Sequence, residues 1–316
     1  MLRATAWTAF HSSPVRCSEG ETMKRIEKRA YGKINLSLDV VGKREDGYHL
    51  VRMVMQTVGI SDTLEIVQAQ HGEVHLKVLG SDITAGPDNL VCRAAQAMRE
   101  AFDLRDGFDI TLEKHIPAAA GMAGGSADAA AVLTGIRDMY SLWADNTRLR
   151  EIALPLGADI PYCVEGGTAL CEGIGEVLTP LPDWLQCELV VVKPDIDVPT
   201  PWVYHEYDAI PAEEIRHPDV DGMVAAIRHR DLQTTAKLCG NVLEQKTGSV
   251  YPVIGELEAL LKEEGALNAV MTGSGPTVFG IYERQENAGK AMEQLEKAYP
   301  GFAKFRTNFV NPKREK

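Results

Sequence analysis

The chain has 316 residues, of which 45% are hydrophobic and 25% are charged, and its formal net charge is -12. The length suggests about two domains, and the composition is that of an ordinary globular protein. The acidic charge argues against a nucleic-acid or anionic-membrane surface, and no apolar run reaches transmembrane length. A small anionic substrate stays compatible with the sequence, because local cations and backbone amides are enough to bind it.

The six cysteines form no C-x-x-C pair and no His/Cys cluster with metal-binding spacing. We therefore expect reduced, mostly buried cysteines in a cytoplasmic protein. Residues 1–22 hold few acids and lack the continuous apolar segment of a secretory signal. We interpret them as an upstream extension outside the fold, with an organelle transit peptide as the alternative.

Alternating apolar residues at the start of the chain indicate strands. They are predicted over residues 26–41, 51–58, 63–67 and 74–78. Asp88 and Asn89 then open an amphipathic helix that runs to Phe102, and residues 108–114 alternate again. A glycine-rich stretch follows and continues into a buried helix.

Later segments mix strands with helices. A helix capped by Asn146 runs to about Leu154. The strand-like residues 168–178 contain Gly173 and Gly175, which suggest bulges or a close backbone approach. Beyond a proline-rich boundary at 179–183, strands are predicted at 188–193, 267–271, 277–282 and 302–310. Helices are predicted at 220–228, 232–243, 252–264 and 288–298. This interleaving is typical of a small α+β sandwich.

The glycine-rich stretch, residues 117–131, reads P-A-A-A-G-M-A-G-G-S-A-D-A-A-A. Gly121, Gly124 and Gly125 permit backbone angles that a side chain forbids, and Ser126 can cap a helix. Free N–H groups and the helix dipole make such a junction an anion site, most often for phosphate. A packed loop that needs glycine only for space explains this stretch by itself equally well.

Three further segments each allow two interpretations. Lys33 and Asn35 share one face of the first strand, where exposed polar residues are the simpler interpretation. Tyr48 and His49 follow an Asp-Gly turn, either as turn residues or as partners of a flat ligand. Asp159 stands among apolar residues, either as a helix cap or as a general base that a nearby lysine would keep ionised.

A second loop of small residues, M-T-G-S-G-P-T at 271–277, is either a tight turn or a set of amides that closes over a phosphate chain. Neither glycine-rich segment has the G-K-[ST] ending of a Walker A motif or the six-residue dinucleotide fingerprint. This argues against a P-loop ATPase and against an NAD enzyme.

Together these segments resemble the GHMP kinase superfamily, whose three motifs appear in order: a lysine-bearing strand, a P-x-x-x-G-x-x-G-G-S loop and a C-terminal loop of small residues. The most discriminating pieces are G-K-I-N-L at 32–36, R-E-D-G-Y-H at 44–49, L-G-A-D-I-P at 156–161 and V-P-T-P-W-V-Y at 198–204. Within the superfamily they are most similar to the kinases of 4-diphosphocytidyl-2-C-methyl-D-erythritol in the non-mevalonate isoprenoid pathway.

The resemblance implies a two-domain GHMP-kinase fold of the α+β class. Residues 23–180 would form a mixed α/β ATP-binding domain, and residues 181–316 a ferredoxin-like α+β sandwich. The implied reaction is ATP-dependent phosphorylation of the 2-hydroxyl of that cytidine diphosphate derivative, with Mg²⁺, in a cytoplasmic monomer or homodimer. The alternatives are another GHMP kinase, of homoserine or mevalonate type, and a catalytically silent nucleotide-binding relative.

The family also implies residue roles. Asp159 is the expected catalytic base, Lys33 its partner, and Ser126 the expected Mg²⁺ contact. The expected ATP-binding residues are Asn89, Lys114, Pro117, Gly121, Met122, Ala123, Gly124, Gly125 and Ser126. The expected substrate-binding residues are Asn35, Tyr48, His49, Thr200, Tyr204, Gly273 and Ser274.

The first glycine loop departs from the family pattern G-L-G-G-G-S-S-N. Ala123 replaces a glycine, so we expect a negative φ there. Ala127 removes a hydroxyl, and Asp128 places an acid near the phosphate site. None of these changes removes a catalytic group, but Asp128 would alter ATP affinity unless it faces solvent or caps the helix.

Overall fold

A computed structural model describes residues 15–16, 22–70, 72–183 and 186–314. The strands are β1 Val15–Arg16, β2 Thr22–Met23, β3 Arg25–Lys43, β4 His49–Ala69, β5 Val74–Leu79, β6 Gly107–Glu113, β7 Thr168–Glu172, β8 Val177–Pro180, β9 Glu188–Lys193, β10 Gly240–Asn241, β11 Asn268–Met271, β12 Val278–Tyr282 and β13 Ala303–Asn308. The helices are α1 Leu90–Ala101, α2 Gly124–Tyr140, α3 Asn146–Ala153, α4 Ile160–Glu165, α5 Thr200–Asp208, α6 Val220–His229, α7 Leu232–Lys237, α8 Glu244–Val250, α9 Val253–Glu263 and α10 Gln285–Ala298.

The N-terminal domain is built on a mixed sheet of order β10-β3-β4-β6-β5, which β7 and β8 extend from β4. β3 and β4 pair antiparallel, with register shifts after Tyr31, Asn35 and Val40. Irregularities of this kind bend a strand pair. Residues 53–56 of β4 pair with β7, and residues 63–69 pair with β6. The two strands predicted at 51–58 and 63–67 are therefore one strand that changes partner.

Helix α2 packs closely on this sheet because its buried face consists mainly of alanine and glycine. A Cβ on Gly135 would lie 2.8 Å from Cδ1 of Ile66, which shows how little space separates helix and sheet. Small residues at such a contact bring the helix axis near the strands. The N-terminus of α2 is thereby fixed relative to β3.

The C-terminal domain has a four-stranded antiparallel sheet of order β11-β12-β9-β13, against which α9 and α10 pack. Both faces of β9 are buried: Val190 and Val192 belong to one core cluster, and Leu189 and Val191 to the other. Burial on two faces explains why this strand is continuously apolar. The expected two-domain α+β architecture is confirmed, whereas the boundary near 179–183 stays a prediction.

Several local predictions were wrong. The helix predicted at 232–243 ends at Lys237, and Gly240–Asn241 instead pairs parallel with Ser37 and Leu38 of β3. Gly173 and Gly175 lie in the turn of the β7–β8 hairpin, with φ of 73° and 119°, so they are not bulges. The alternative of a close backbone approach is confirmed at Gly173, whose carbonyl oxygen accepts the N–H of Val51 at 2.8 Å. Helices α4, α5 and α8 were not predicted, because α4 and α5 begin with a proline in their first turn and all three are short.

Most of residues 1–22 lies outside the described residues, so the interpretation of that segment stays a prediction. Its described part, Val15–Arg16, pairs antiparallel with Thr22–Met23. Within the described ranges, no helix combines the length and apolar character that crossing a bilayer requires. The five described cysteines are unpaired, and Cys92, Cys171 and Cys239 are buried.

Candidate active site

A cavity of about 1090 Å³ lies between the two domains. Its walls are the middle of β3, the glycine-rich loop before α2, the start of α4, helix α5 and the loop at 273–275. The small-residue and polar segments that the sequence singled out therefore meet around one space. Both domains contribute to its lining.

The two loops of small residues touch each other. Gly121 has a φ of +67°, and a Cβ there would lie 2.4 Å from the carbonyl oxygen of Thr272. A Cβ on Gly273 would lie 2.9 Å from the carbonyl oxygen of Gly121. Glycine is therefore required at both positions for close backbone approach as well as for conformation.

The junction of the loop with α2 has the features of an anion site. No side chain caps the N-terminus of α2, so its first N–H groups stay available to a ligand. The prediction for Ala123 was wrong, because its φ is +55° and its ψ 33°, in the left-handed region. Ala123 occupies the N-cap position, where the turn into α2 imposes this conformation at a cost of roughly 1 to 2 kcal/mol for a residue with a Cβ.

Lys33 and Asp159 face each other at the base of the cavity, with Nζ 3.9 Å from Oδ2. The Lys33 ammonium also donates to Asn35 Oδ1 at 2.8 Å and to the carbonyl oxygen of Gly121 at 2.9 Å. Lys33 and Asn35 are buried, which corrects the simpler interpretation of an exposed strand face. Asp159 stands at the N-cap position of α4 but makes no capping hydrogen bond, so its carboxylate is available to the cavity.

Asp128 neither faces solvent nor caps α2. Its carboxylate and that of Asp62 both accept hydrogen bonds from the Lys114 ammonium, at 2.8 and 2.5 Å, and all three residues are buried. Burial raises the pKa of Asp128 to about 7, although the charge of Lys114 opposes this shift. Lys114 Nζ lies 3.3 Å from the position of a Cβ on Gly124, directly beneath the first residue of α2.

The opposite end of the cavity carries aromatic rings. The His49 ring stacks on Tyr204 with centroids 4.7 Å apart and an interplanar angle of 25°. Tyr48 is 60% exposed at the cavity mouth. The hydroxyls of Thr200 and Ser274 lie 2.8 Å apart and connect α5 to the C-terminal loop. Burial, followed by the charge of Asp159, raises the pKa of the Tyr204 hydroxyl well above its usual value.

Two of the sequence-predicted site residues do not line the cavity. The Asn89 side chain caps α1, because its Oδ1 accepts the N–H of Val91 at 2.9 Å. Met122 is buried, and its methyl group lies near Gly32. The cavity lining contains the other predicted residues: Lys33, Asn35, Tyr48, His49, Lys114, Pro117, Gly121, Ala123, Gly124, Gly125, Ser126, Asp159, Thr200, Tyr204, Gly273 and Ser274.

Sequence reasoning missed Lys43 and Asp208, which line the cavity, and Asp62, which binds Lys114. Asp62 falls between the strands predicted at 51–58 and 63–67, next to Ser61 and Thr63, so no local signal marks it as a buried residue. Asp208 lies four residues after Tyr204 on α5, so the spacing that places both on one face becomes apparent only once that helix is known.

Two family models match the chain. The model of the GHMP kinases N terminal domain matches residues 89–167, and the model of the GHMP kinases C terminal matches residues 223–301. A 4-diphosphocytidyl-2-C-methyl-D-erythritol kinase of Lachnoclostridium phytofermentans is 43% identical over 92% of this chain and 99% of its own length. One of Lachnospira eligens is 44% identical over 84% of this chain and 91% of its own length.

The chain is also similar to solved structures of kinases. The crystal structure of a 4-(cytidine 5'-diphospho)-2C-methyl-D-erythritol kinase is 31% identical, with a TM-score of 0.76 over 90% of this chain and 100% of its own. A homoserine kinase from Cytophaga hutchinsonii is 17% identical, with a TM-score of 0.75 over 94% of this chain and 98% of its own, a likeness that concerns the fold alone.

Proposed function

Because the chain belongs to the GHMP kinase family, which uses ATP to phosphorylate small-molecule alcohols, we propose that it phosphorylates the 2-hydroxyl of 4-diphosphocytidyl-2-C-methyl-D-erythritol. The observation that carries the proposal is the Lys33–Asp159 pair, which lies in one cavity with a helix N-terminus and a stack of aromatic rings. These features match a phosphoryl donor, a reacting hydroxyl and a flat base.

Asp159 is the proposed general base. Its carboxylate is 35% exposed in the cavity and makes no capping bond, so it is free to accept the proton of an attacking hydroxyl. Lys33, whose Nζ lies 3.9 Å from that carboxylate, places a positive charge where the phosphoryl group is transferred. The hydrogen bonds of Lys33 to Asn35 and Gly121 fix the ammonium for this purpose.

The N-terminus of α2 is the proposed phosphate site for ATP. Amides of Gly124, Gly125 and Ser126 lie at the positive end of the helix dipole. Phosphoryl transfer depends mainly on positioning and charge stabilisation, and the amides at this junction would supply both. The aromatic end, with Tyr48, His49 and Tyr204, is the proposed cytosine site.

Mg²⁺ would take most of its ligands from the phosphates of ATP and few from the protein. Within the described ranges, no cluster of three or more His, Cys, Asp or Glu side chains is placed to hold a metal ion. The Ser126 hydroxyl and the Asp159 carboxylate are the protein oxygens proposed to face it, since Mg²⁺ prefers oxygen ligands. When bound with ATP, Mg²⁺ would neutralise charge on the transferred phosphoryl group.

The test is a kinase assay on the purified full chain with ATP and Mg²⁺. ADP should form with 4-diphosphocytidyl-2-C-methyl-D-erythritol and not with homoserine or mevalonate. No turnover of the cytidyl substrate would refute the proposal, and turnover of homoserine or mevalonate in its place would establish one of the alternative kinases.

Asp159→Asn tests the base. It should lower kcat by roughly 100-fold to 10000-fold, since it removes the proton acceptor, and leave ATP affinity within a few-fold. Asp195→Asn is the matched control, because Asp195 is exposed and outside the cavity lining. Equal kcat for Asp159→Asn and the unmodified enzyme would show that Asp159 is not the base.

A further inference from the structure

Asp208 joins three elements at the cavity mouth. It is the last residue of α5, and its Oδ1 lies 2.7 Å from Nε2 of His49. Its Oδ2 accepts a hydrogen bond of 2.5 Å from the Lys43 ammonium. Lys43 ends β3 and His49 begins β4, so one carboxylate of the C-terminal domain connects both strands of the N-terminal hairpin.

The His49 ring is held from several sides. Its face stacks on Tyr204, and its edge meets Tyr207, whose ring centroid lies 6.3 Å away at an interplanar angle of 83°. Only 11% of the His49 side chain is exposed. With Nε2 bound to Asp208, Nδ1 is the ring nitrogen that remains for a ligand, and no described residue forms a hydrogen bond with it.

The hydrogen bond to Asp208 determines which ring nitrogen carries the proton. A carboxylate only accepts, so Nε2 of His49 must donate and Nδ1 keeps its lone pair in the neutral ring. The Lys43 ammonium binds Oδ2, the other oxygen of the same carboxylate, so Oδ1 is the oxygen that faces His49.

We propose that Asp208 is a positioning residue for base selection: it holds His49 in the Nε2–H tautomer, so that Nδ1 accepts a hydrogen bond from the exocyclic amino group of a cytosine. Uracil presents a carbonyl oxygen at that ring position, and two acceptors repel each other. The inference builds on the proposed function for the identity of the substrate, but the tautomer and the preference between bases are measurable without turnover.

Asp208→Asn is the informative variant. An amide both donates and accepts, so it can pair with either tautomer of His49 and removes the bias. Asp208→Glu keeps an acceptor-only group and should preserve the Nε2–H tautomer of His49. Asp195→Asn, an exposed change of the same charge, is the control.

The first measurement is a two-bond ¹H–¹⁵N spectrum of the protein labelled at histidine, with the His49 signals assigned by their loss in His49→Gln. The unmodified protein should show the Nε2–H tautomer, and Asp208→Asn a mixture. An Nδ1–H tautomer in the unmodified protein, or an unaltered tautomer in a folded Asp208→Asn protein, would overturn the proposal.

The second measurement is calorimetric binding of cytidine 5'-diphosphate and uridine 5'-diphosphate to the full chain. We expect about a tenfold preference for the cytidine nucleotide, the value of one net hydrogen bond. In Asp208→Asn the preference should fall to within about threefold, and the KM of the cytidyl substrate should rise with kcat unchanged. No preference in the unmodified protein would refute the inference even where turnover supports the proposed reaction.

Discussion

Glu244 provides a test of the electrostatics next to the loop at 272–277. It begins α8, and its Oε2 accepts the N–H of Met271 at 2.8 Å, directly before the loop at 272–277. Burial, and next the neighbouring carboxylate of Glu258, raises the pKa of Glu244 to about 8. Oε1 of Glu258 is buried without a partner among the described residues, so the pair holds a proton near neutral pH.

The magnitude follows from the shift in pKa. The folded pKa of about 8 lies above the usual value of 4.5, so the folded state binds this proton more tightly than the unfolded state. The stabilisation is complete below pH 4.5 and is lost as pH rises through 8. Each pKa unit is worth about 1.4 kcal/mol, which sets a ceiling of about 5 kcal/mol, and we expect roughly 2 to 4 kcal/mol because the two carboxyls share the proton.

Glu244→Gln should therefore abolish most of the loss of stability between pH 5.5 and 8.5. A glutamine stays neutral at every pH and still accepts the Met271 N–H through its carbonyl oxygen. Urea unfolding at pH 5.5, 7 and 8.5 measures the free energy of unfolding of both proteins. Glu263→Gln, an exposed residue at the end of α9, is the control. Parallel stability curves for Glu244→Gln and the unmodified protein would refute the reasoning.

Substitutions at three further positions test the loops. Gly121→Ala should lower kcat/KM by roughly 100-fold, because its Cβ would meet the Thr272 carbonyl. Gly255→Ala is the control and should leave kcat/KM unaltered, because a Cβ there meets nothing within 4 Å. Equal effects of the two substitutions would contradict the close approach at Gly121. At position 123, where φ is positive, the melting temperature should be lowest with valine and at least as high with glycine as with alanine. A valine variant as stable as the alanine-containing protein would contradict this reasoning. Asn241→Ala should destabilise by about 1 to 3 kcal/mol, because it frees the carbonyls of Met271 and Gly273, and a change below about 0.5 kcal/mol in urea unfolding would argue against that support.

Regular patterns made much of the fold predictable. β3 and α2 were predicted because each carries many apolar residues at its own period. Helix α5 has only nine residues, with Pro201 in its first turn and Val203 and Tyr207 as its buried residues. A segment of that length is too short to establish a helical period, so sequence patterns do not reveal it.

The candidate site was predictable where chemistry lies within a motif and was missed where it depends on distant contacts. Lys33 and Asp159 were paired through the family resemblance. The partner of His49 lies 159 residues away in the chain, and nothing local indicates it. The φ of Ala123 was predicted wrongly because the side chain seemed to exclude a conformation that the turn into α2 imposes.

The position of Lys33 depends on both domains. Its ammonium binds the carbonyl oxygen of Gly121, and its N–H donates to the carbonyl oxygen of Met122 at 3.1 Å. Gly121 packs against the backbone of Thr272, whose hydroxyl accepts the N–H of Asn35 at 2.8 Å. The C-terminal loop therefore supports the same strand and the same glycine loop that hold the lysine. A change in the C-terminal domain that displaces this loop should affect kcat, because it moves Lys33 relative to Asp159.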